Sequence, residues 1–260
     1  DRKWIAQLVQ PGTSLGGARP KANVVDADKT LYVAKFPSRK DDYDVGLWEH
    51  FGHLLATKTG INAAKTKMLA TGEKYHTLLS QRFDRTQEGK RIHLASAMTL
   101  LGLSDGDNAT TRHGYLDIVD FIIQSCTDVE RNLQELYRRV AFNICIGNSD
   151  DHFRNHGFLL TAKGWILSPA YDMNPTLSEF QSLLISATSN KAGLSILLDA
   201  CEDYMLNRNT AEKIISEVIE VVKGWCELAS RLGISKREMD MFAGVLDGRV
   251  RESIEGYKTI

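Results

Sequence analysis

The chain has 260 residues, 32 Lys and Arg against 33 Asp and Glu for a formal net charge of −1, with 43% apolar and 25% charged residues. This is the composition of an ordinary globular protein, long enough for one large or two smaller cores without staples. It excludes a generally basic nucleic-acid binder or an acidic tail, and apolar runs such as 183–187 and 194–198 fall far short of the roughly 20 residues of a membrane span.

The chain opens DRKWIAQLVQ, without an initiator Met and without the apolar stretch of a signal peptide, so a trimmed chain or fragment with no export signal is expected. Gly12-Thr-Ser14-Leu-Gly16-Gly17-Ala18-Arg19-Pro-Lys21 then precedes a strand. Its glycines let backbone N–H groups approach anionic oxygens, as a phosphate cradle requires, and a plain loop is the equal alternative. It is not a P-loop, which needs G-x-x-x-x-G-K-[ST].

Residues 23–36 read as two strands around an Asp-rich turn, Leu31 and Val33 alternating with Tyr32 and Ala34. Val45, Trp48, Phe51, Leu54 and Leu55 follow at helical spacing, after Asp41, Asp42 and Asp44 and before Gly60, which marks an amphipathic helix with a Gly stop. Lys35 in the apolar strand is either a solvated outer-face residue or a phosphate-positioning lysine paired with a helix glutamate. Glu49 is the obvious partner, because it lies near the apolar stripe, where an unpaired carboxylate is costly. Residues 75–80 read as another strand.

Beyond about His93 helical periodicity dominates. The expected layout is therefore a β-rich part over 1–93 and a helical part over 94–260. One helix is expected over 114–125. A second opens at a capping box, Thr127-Asp-Val-Glu130, and carries Val129, Leu133, Leu136, Val140 and Ile144 on one face before Gly147. Strand-like pieces follow at 157–161 and 165–167. Asn209-Thr-Ala-Glu212 and Ser235-Lys-Arg-Glu238 read as further capping-box starts. The segment 228–238 is loosely like a DNA-reading helix-turn-helix; two helices joined by a tight Gly turn is the expected reading, since no basic excess supports DNA. Cys126, Cys145, Cys201 and Cys226 contain no C-x-x-C pair, which argues for buried free thiols in a reducing compartment, the cytoplasm. His76, His93 and His113 are isolated and read as ordinary surface or core histidines.

The densest chemistry is Gly147-Asn-Ser-Asp150-Asp151-His152-Phe-Arg154-Asn155-His156. A capped polar loop is one reading. A second carboxylate, Asp172, stands just past a short apolar strand in Ser168-Pro-Ala-Tyr171-Asp172-Met173. An acid in a loop, an Asn five residues on, a strand and another acid is the arrangement of magnesium-dependent phosphoryl transfer, whose metal takes hard oxygen ligands. A metal-dependent phosphoesterase built on Asp-Asp-His would need a second ligand cluster, and none with suitable spacing is present.

Four motifs in chain order, Ser14–Lys21, Gln81-Arg82-Phe83-Asp84-Arg85, Gly147–His156 and Ser168–Met173, resemble the HipA family of bacterial serine/threonine kinases, toxins of type II toxin–antitoxin systems. The resemblance extends from about residue 12 to at least 175. It implies an α+β, two-lobed protein-kinase-like fold, ATP and Mg²⁺ as ligands, and a protein serine as acceptor, in one case an aminoacyl-tRNA synthetase. Carried over residue by residue, it makes Asp150 the catalytic acid/base. His152 and Asn155 would face nucleotide and metal, with Asp172 the second metal ligand and Tyr171 beside it at the nucleotide. Lys35 would contact the phosphates with Glu49 as its ion-pair partner. Gln81, Arg82 and Phe83 would form the hinge around adenine; Gly16, Gly17, Ala18, Arg19 and Lys21 would form the phosphate loop. Ser14 matches the family's regulatory autophosphorylation serine.

The resemblance also implies a small DNA-binding, HipB-like antitoxin, with no membrane attachment and no sequence-specific DNA reading by this chain. Two departures stand out. Only eleven residues precede Gly12, where family members often carry an N-terminal subdomain; this suggests trimming or a short type completed by a separate small protein. Gln81 stands where many members have an acid. The alternative function is a nucleotide-binding pseudokinase that clamps an antitoxin without turnover, and the presence of both Asp150 and Asp172 argues against it.

Overall fold

The computed structural model describes residues 19–70, 74–86 and 88–257. Ser14, Gly16, Gly17 and Ala18 lie outside the described residues. The first part is a four-stranded antiparallel sheet of order β1-β2-β4-β3, formed by β1 (Lys21–Val25), β2 (Leu31–Lys35), β3 (Thr66–Leu69) and β4 (Thr77–Gln81). In β2 the alternation has the expected consequence. Tyr32 and Ala34 are buried, while Val33 and Lys35 share the opposite face.

Helix α1 (Val45–Lys58) packs on β3 and β4. Asp44 caps it, accepting from Leu47 N–H at 3.0 Å, Lys58 lies in its last turn, and Gly60 follows at φ 86°. Its buried stripe includes Leu47, Trp48, Phe51 and Leu55. Trp48 carries this helix onto the helical part, with its ring 4.4 Å from Phe242 and 6.5 Å from Trp225.

The rest begins with a second sheet, β5-β6-β7: β5 (Leu94–Ser96), β6 (Gly157–Thr161) and β7 (Gly164–Leu167). Around it lie α2 (Ala97–Leu100), α3 (Tyr115–Ser125), α4 (Val129–Ile146), α5 (Leu194–Asp199), α6 (Arg208–Val222), α7 (Trp225–Arg231) and α8 (Lys236–Tyr257). The long helix α4 is central and packs on α3, α6 and α8. No helix among the described residues is long and apolar enough to cross a membrane. The segment 228–238 is the two-helix junction expected, with α7 and α8 meeting across Gly233 at φ 78°.

Several local expectations are corrected. The strand expected at 75–80 runs Thr77–Gln81, because Asp44 takes the His76 N–H into the helix cap. Strands β3 and β5 carry no period-2 signal strong enough to stand out. Thr127 does not cap α4. The cap residue is Asp128, at φ 51° and without a side-chain cap bond, and Asn132 Nδ2 instead donates to Thr127 O and Asp128 O. Helix α6 is capped by Asn207, which accepts from Thr210 N–H at 2.9 Å, and not by Asn209. At Ser235 only half a capping box forms, since the Glu238 carboxylate accepts from Asp44 N–H across the interface. Cys145 and Cys201 are buried as expected, but Cys126 is half-buried and Cys226 is exposed, on the outer side of α7.

Candidate active site

A cleft of about 280 Å³ opens between the two parts. From the first sheet come Lys21, Val33, Lys35, Ser80 and Gln81, with Arg82, Phe83 and Asp84 just beyond β4. Leu94, His152, Arg154, Asn155, Tyr171 and Asp172 complete the lining. Of the expected residues among those described, Lys21, Lys35, Gln81, Arg82, Phe83, His152, Asn155, Tyr171 and Asp172 meet around this one cleft.

Arg19 is half-buried and forms an ion pair with Asp41, so its guanidinium is engaged outside the cleft lining.

Lys35 is the centre of the charge arrangement. Its Nζ donates to Glu49 Oε1 at 2.5 Å and to Asp172 Oδ1 at 2.8 Å. Glu49 is almost fully buried. Burial alone would lower the lysine pKa, but the carboxylates of Glu49 and Asp172 win and raise it. Burial would likewise raise Glu49, and the Lys35 ammonium with His53 brings it down to about 2. Lys35 and Glu49 therefore form a charged pair at neutral pH. Lys21, opposite Lys35 in the β1–β2 register, has its pKa lowered by burial and then by repulsion from Lys35. Two ammonium groups facing one cleft suit a polyanionic ligand.

Just beyond the end of β4, Arg82 grips Asp84 through Nε at 2.8 Å and Nη2 at 2.5 Å, and Arg85 adds a bond of 2.7 Å. The Phe83 ring lies 5.6 Å from that of Tyr171, tilted by 33°. Tyr171 Oη donates to Arg154 O at 2.6 Å. The two rings pack on each other and give the cleft lining an apolar stretch.

The loop after α4 separates its two adjacent carboxylates. Gly147 ends the helix at φ 69°, where a Cβ would also stand 2.3 Å from Val245 Cγ1. Asp150 is exposed, and its carbonyl accepts from Asn155 Nδ2 at 3.2 Å. Its side chain is exposed to solvent and lies outside the cleft lining. Asp151 is buried instead. Its Oδ2 accepts from Tyr115 Oη at 2.7 Å, Asn143 Nδ2 at 2.8 Å and His156 Nε2 at 2.8 Å. Burial would raise its pKa, but attraction to His156 and bonds from His156 and Tyr115 hold it below the usual carboxylate range. His156 thus turns inward while His152 lines the cleft, so the four-residue spacing of these histidines makes no zinc pair. Among the described residues no group of three His, Cys, Asp or Glu is placed to hold a metal.

The donors facing the cleft are the Asp172 carboxylate and the Asn155 amide. These are hard oxygens of the kind Mg²⁺ takes together with substrate phosphates. Asp172 is one-third exposed, at 33%, and Lys35 and Asn174 both bond to its Oδ1. His152 lines the cleft, and its Nδ1 is buried with no hydrogen-bond partner in the protein. The residues present therefore fit a magnesium nucleotide.

Sequence reasoning missed Val33, Ser80, Leu94, Asp84 and Arg154 in the lining. Val33 was readable, being two residues from Lys35 on one strand face. Leu94 was not, because only the pairing of β5 with β6 brings it to the cleft.

The chain matches the HipA-like C-terminal domain family over residues 13–225. It is 26% identical over 190 residues to the serine/threonine-protein kinase toxin HipA of Shewanella oneidensis, covering 63% of this chain and 43% of that protein. The chain spans about half the length of the curated relatives it matches. In fold it is similar to HipA of Shewanella oneidensis MR-1, solved with HipB and operator DNA. There the TM-score is 0.76 at 17% identity, over 96% of this chain and 69% of that one. It is also similar to the Helicobacter pylori proinflammatory kinase CtkA, with a TM-score of 0.59 at 15% identity over 95% of this chain and 92% of that one. The fold is thus that of HipA and related kinases, as expected.

Proposed function

From the premise that this chain belongs to the HipA-like C-terminal domain family, we propose that it is an ATP- and Mg²⁺-dependent serine/threonine protein kinase of a toxin–antitoxin system. The observation that carries the reading is Lys35, bonded at once to Glu49 and Asp172 at the wall of a cleft between a β-sheet and a helical part. A strand lysine held by a helix carboxylate, facing a loop aspartate, is how kinases place nucleotide phosphates beside their metal. We assign 1–93 as the smaller lobe and 94–260 as the larger.

Lys35 and Lys21 bind the phosphates, and the packed rings of Phe83 and Tyr171 offer the base an apolar wall near Gln81 and Arg82. Asp172 and Asn155 would hold Mg²⁺, which would supply neutralisation of the phosphate charge. Asp150 accepts the proton of the acceptor hydroxyl. The oxygen of that hydroxyl bonds to the γ-phosphorus, the bond from phosphorus to the bridging oxygen breaks, and ADP leaves. The acceptor is a protein serine or threonine, an aminoacyl-tRNA synthetase being one instance in the family, and Ser14 is an autophosphorylation site. A HipB-like antitoxin and a separate small protein in the role of the N-terminal subdomain are the proposed partners, and the compartment is the cytoplasm.

The test is transfer of radiolabelled γ-phosphate from ATP to the full chain and to serine-bearing protein acceptors, with Mg²⁺ and with EDTA. Metal-dependent label on serine or threonine supports a kinase. Tight ATP binding with no label on any acceptor, the chain included, would favour a pseudokinase and overturn the proposal.

A further inference from the structure

Asp172 stands in the left-handed region at φ 59°, which a residue with a side chain keeps only where its surroundings over-determine it. Part of that control is backbone: Ala170 N–H donates to Asn62 O at 2.7 Å, and Ala170 O accepts from Ala64 N–H at 2.8 Å. One carboxylate oxygen is held as well. Oδ1 accepts from Lys35 Nζ at 2.8 Å and from Asn174 Nδ2 at 3.2 Å.

The Lys35 bond belongs to the charge arrangement of the cleft. The Asn174 bond has no comparable packing reason. Asn174 Oδ1 is buried without a hydrogen-bond partner in the protein, and an unpaired buried acceptor is destabilising. Turning the amide over would set its oxygen against the carboxylate, so the orphan follows from aiming Nδ2 at Asp172. A leucine, close to asparagine in shape, would remove the orphan. The chain therefore keeps at 174 a side chain that stability disfavours, and the bond it gains is the one to Asp172 Oδ1.

With Oδ1 engaged twice, Oδ2 is the oxygen left for the cleft that Asp172 lines. We propose that Asn174 is a positioning residue for the metal-binding carboxylate. Its neutral donor holds Oδ1, together with Lys35, so that Oδ2 is presented to the divalent cation of a bound nucleotide without a further negative charge beside it. This rests on the reading of Asp172 as a magnesium ligand.

The experiment is calorimetric titration of the full chain with ATP, in EDTA and at graded Mg²⁺, for wild type, Asn174→Leu, Asn174→Ala and Asp172→Ala, alongside thermal midpoints. Asn174→Leu is expected to keep the wild-type ATP affinity in EDTA and a midpoint equal to or above wild type. It should need on the order of 10-fold more Mg²⁺ to reach the same ATP affinity, the usual range for loss of a partner behind a metal ligand. Asn174→Ala should show the same magnesium shift with a lower midpoint. An unchanged magnesium requirement in both variants overturns the proposal. So does an equal loss of ATP affinity in EDTA and in Mg²⁺, which would make Asn174 a support of the cleft. If Mg²⁺ fails to tighten ATP binding to wild type and Asp172→Ala changes nothing, the kinase reading itself falls, and the inference with it.

Discussion

Asp150 and Asp151 are neighbours in sequence with opposite fates: the first is exposed, and the second accepts three hydrogen bonds in the interior. Only the exposed one can meet an incoming hydroxyl. Asp150→Asn should lower phosphoryl transfer on the order of 10²–10⁴-fold, the usual contribution of a general base, with ATP affinity unchanged. Single-turnover transfer and equilibrium binding of ATP check both halves, and near-normal transfer would remove Asp150 from the mechanism. The Lys35–Glu49 pair makes a second prediction. Glu49 is depressed to about 2 from an ordinary value of 4.5, so its contribution to stability is complete above about pH 5 and is lost as pH falls toward 2. Lys35 is raised from 10.5, so its contribution is complete below that value and lost only at higher pH. Glu49→Gln should therefore flatten the acid limb of the stability curve. It should also cost about 3–5 kcal/mol at neutral pH, because the Lys35 ammonium loses its buried partner. Urea unfolding between pH 3 and 7 measures this, and an unchanged acid slope would show that the pair does not set it.

The contact between α1 and the segment carrying Asp172 is as close as backbones allow. A Cβ at Gly52 would stand 2.3 Å from Met173 O, so helix or segment must move to admit one. The same helix carries Glu49, and its His53 ring nitrogen Nδ1 bonds Ala64 O at 2.9 Å, while Ala64 N–H bonds Ala170 O. Helix α1 and Asp172 are thus one mechanical unit. Gly52→Ala should destabilise the chain by about 1–3 kcal/mol, the usual cost of overpacking. It should also weaken Mg·ATP binding more than a distant variant of equal stability loss, such as one on the outer face of α6. Equal binding by the two variants, measured by calorimetry, would show that the close approach is packing only.

Across the whole molecule the cleft takes its walls from both parts of the chain, so a ligand there stabilises the folded state by mass action. Mg·ATP at 100 times its Kd should add about 2.7 kcal/mol to stability. Ser14, outside the described residues, is proposed to control that occupancy. A phosphate there adds close to two negative charges seven positions before β1 in sequence, and is proposed to repel the nucleotide's own phosphates. Chain phosphorylated at Ser14 should therefore lose most of the Mg·ATP thermal shift that the unmodified chain and Ser14→Ala retain. A full shift in phosphorylated chain, confirmed by intact mass, would sink the switch.

What the sequence by itself determined is what short-range physics encodes. The β2 alternation, the Asp44-to-Gly60 helix, the ten-residue loop after Gly147 and Asp172 past its strand all depend on residues a few positions apart. Their motifs also sufficed to place the chain in a kinase-like family. Tertiary structure decided the rest. Lys35 and Asp172 are 137 positions apart in sequence and meet because α1 packs on Met173 and the segment after α1 bonds to Ala170. Which of two adjacent aspartates is buried depends on Tyr115, from a helix 36 positions back in sequence, as well as on Asn143 of the helix before the loop. The capping box at Ser235 stayed half-formed for the same reason, since the Glu238 carboxylate serves Asp44. Local propensity offers several residues able to satisfy a backbone group, and packing chooses among them by which ones it brings within bonding distance.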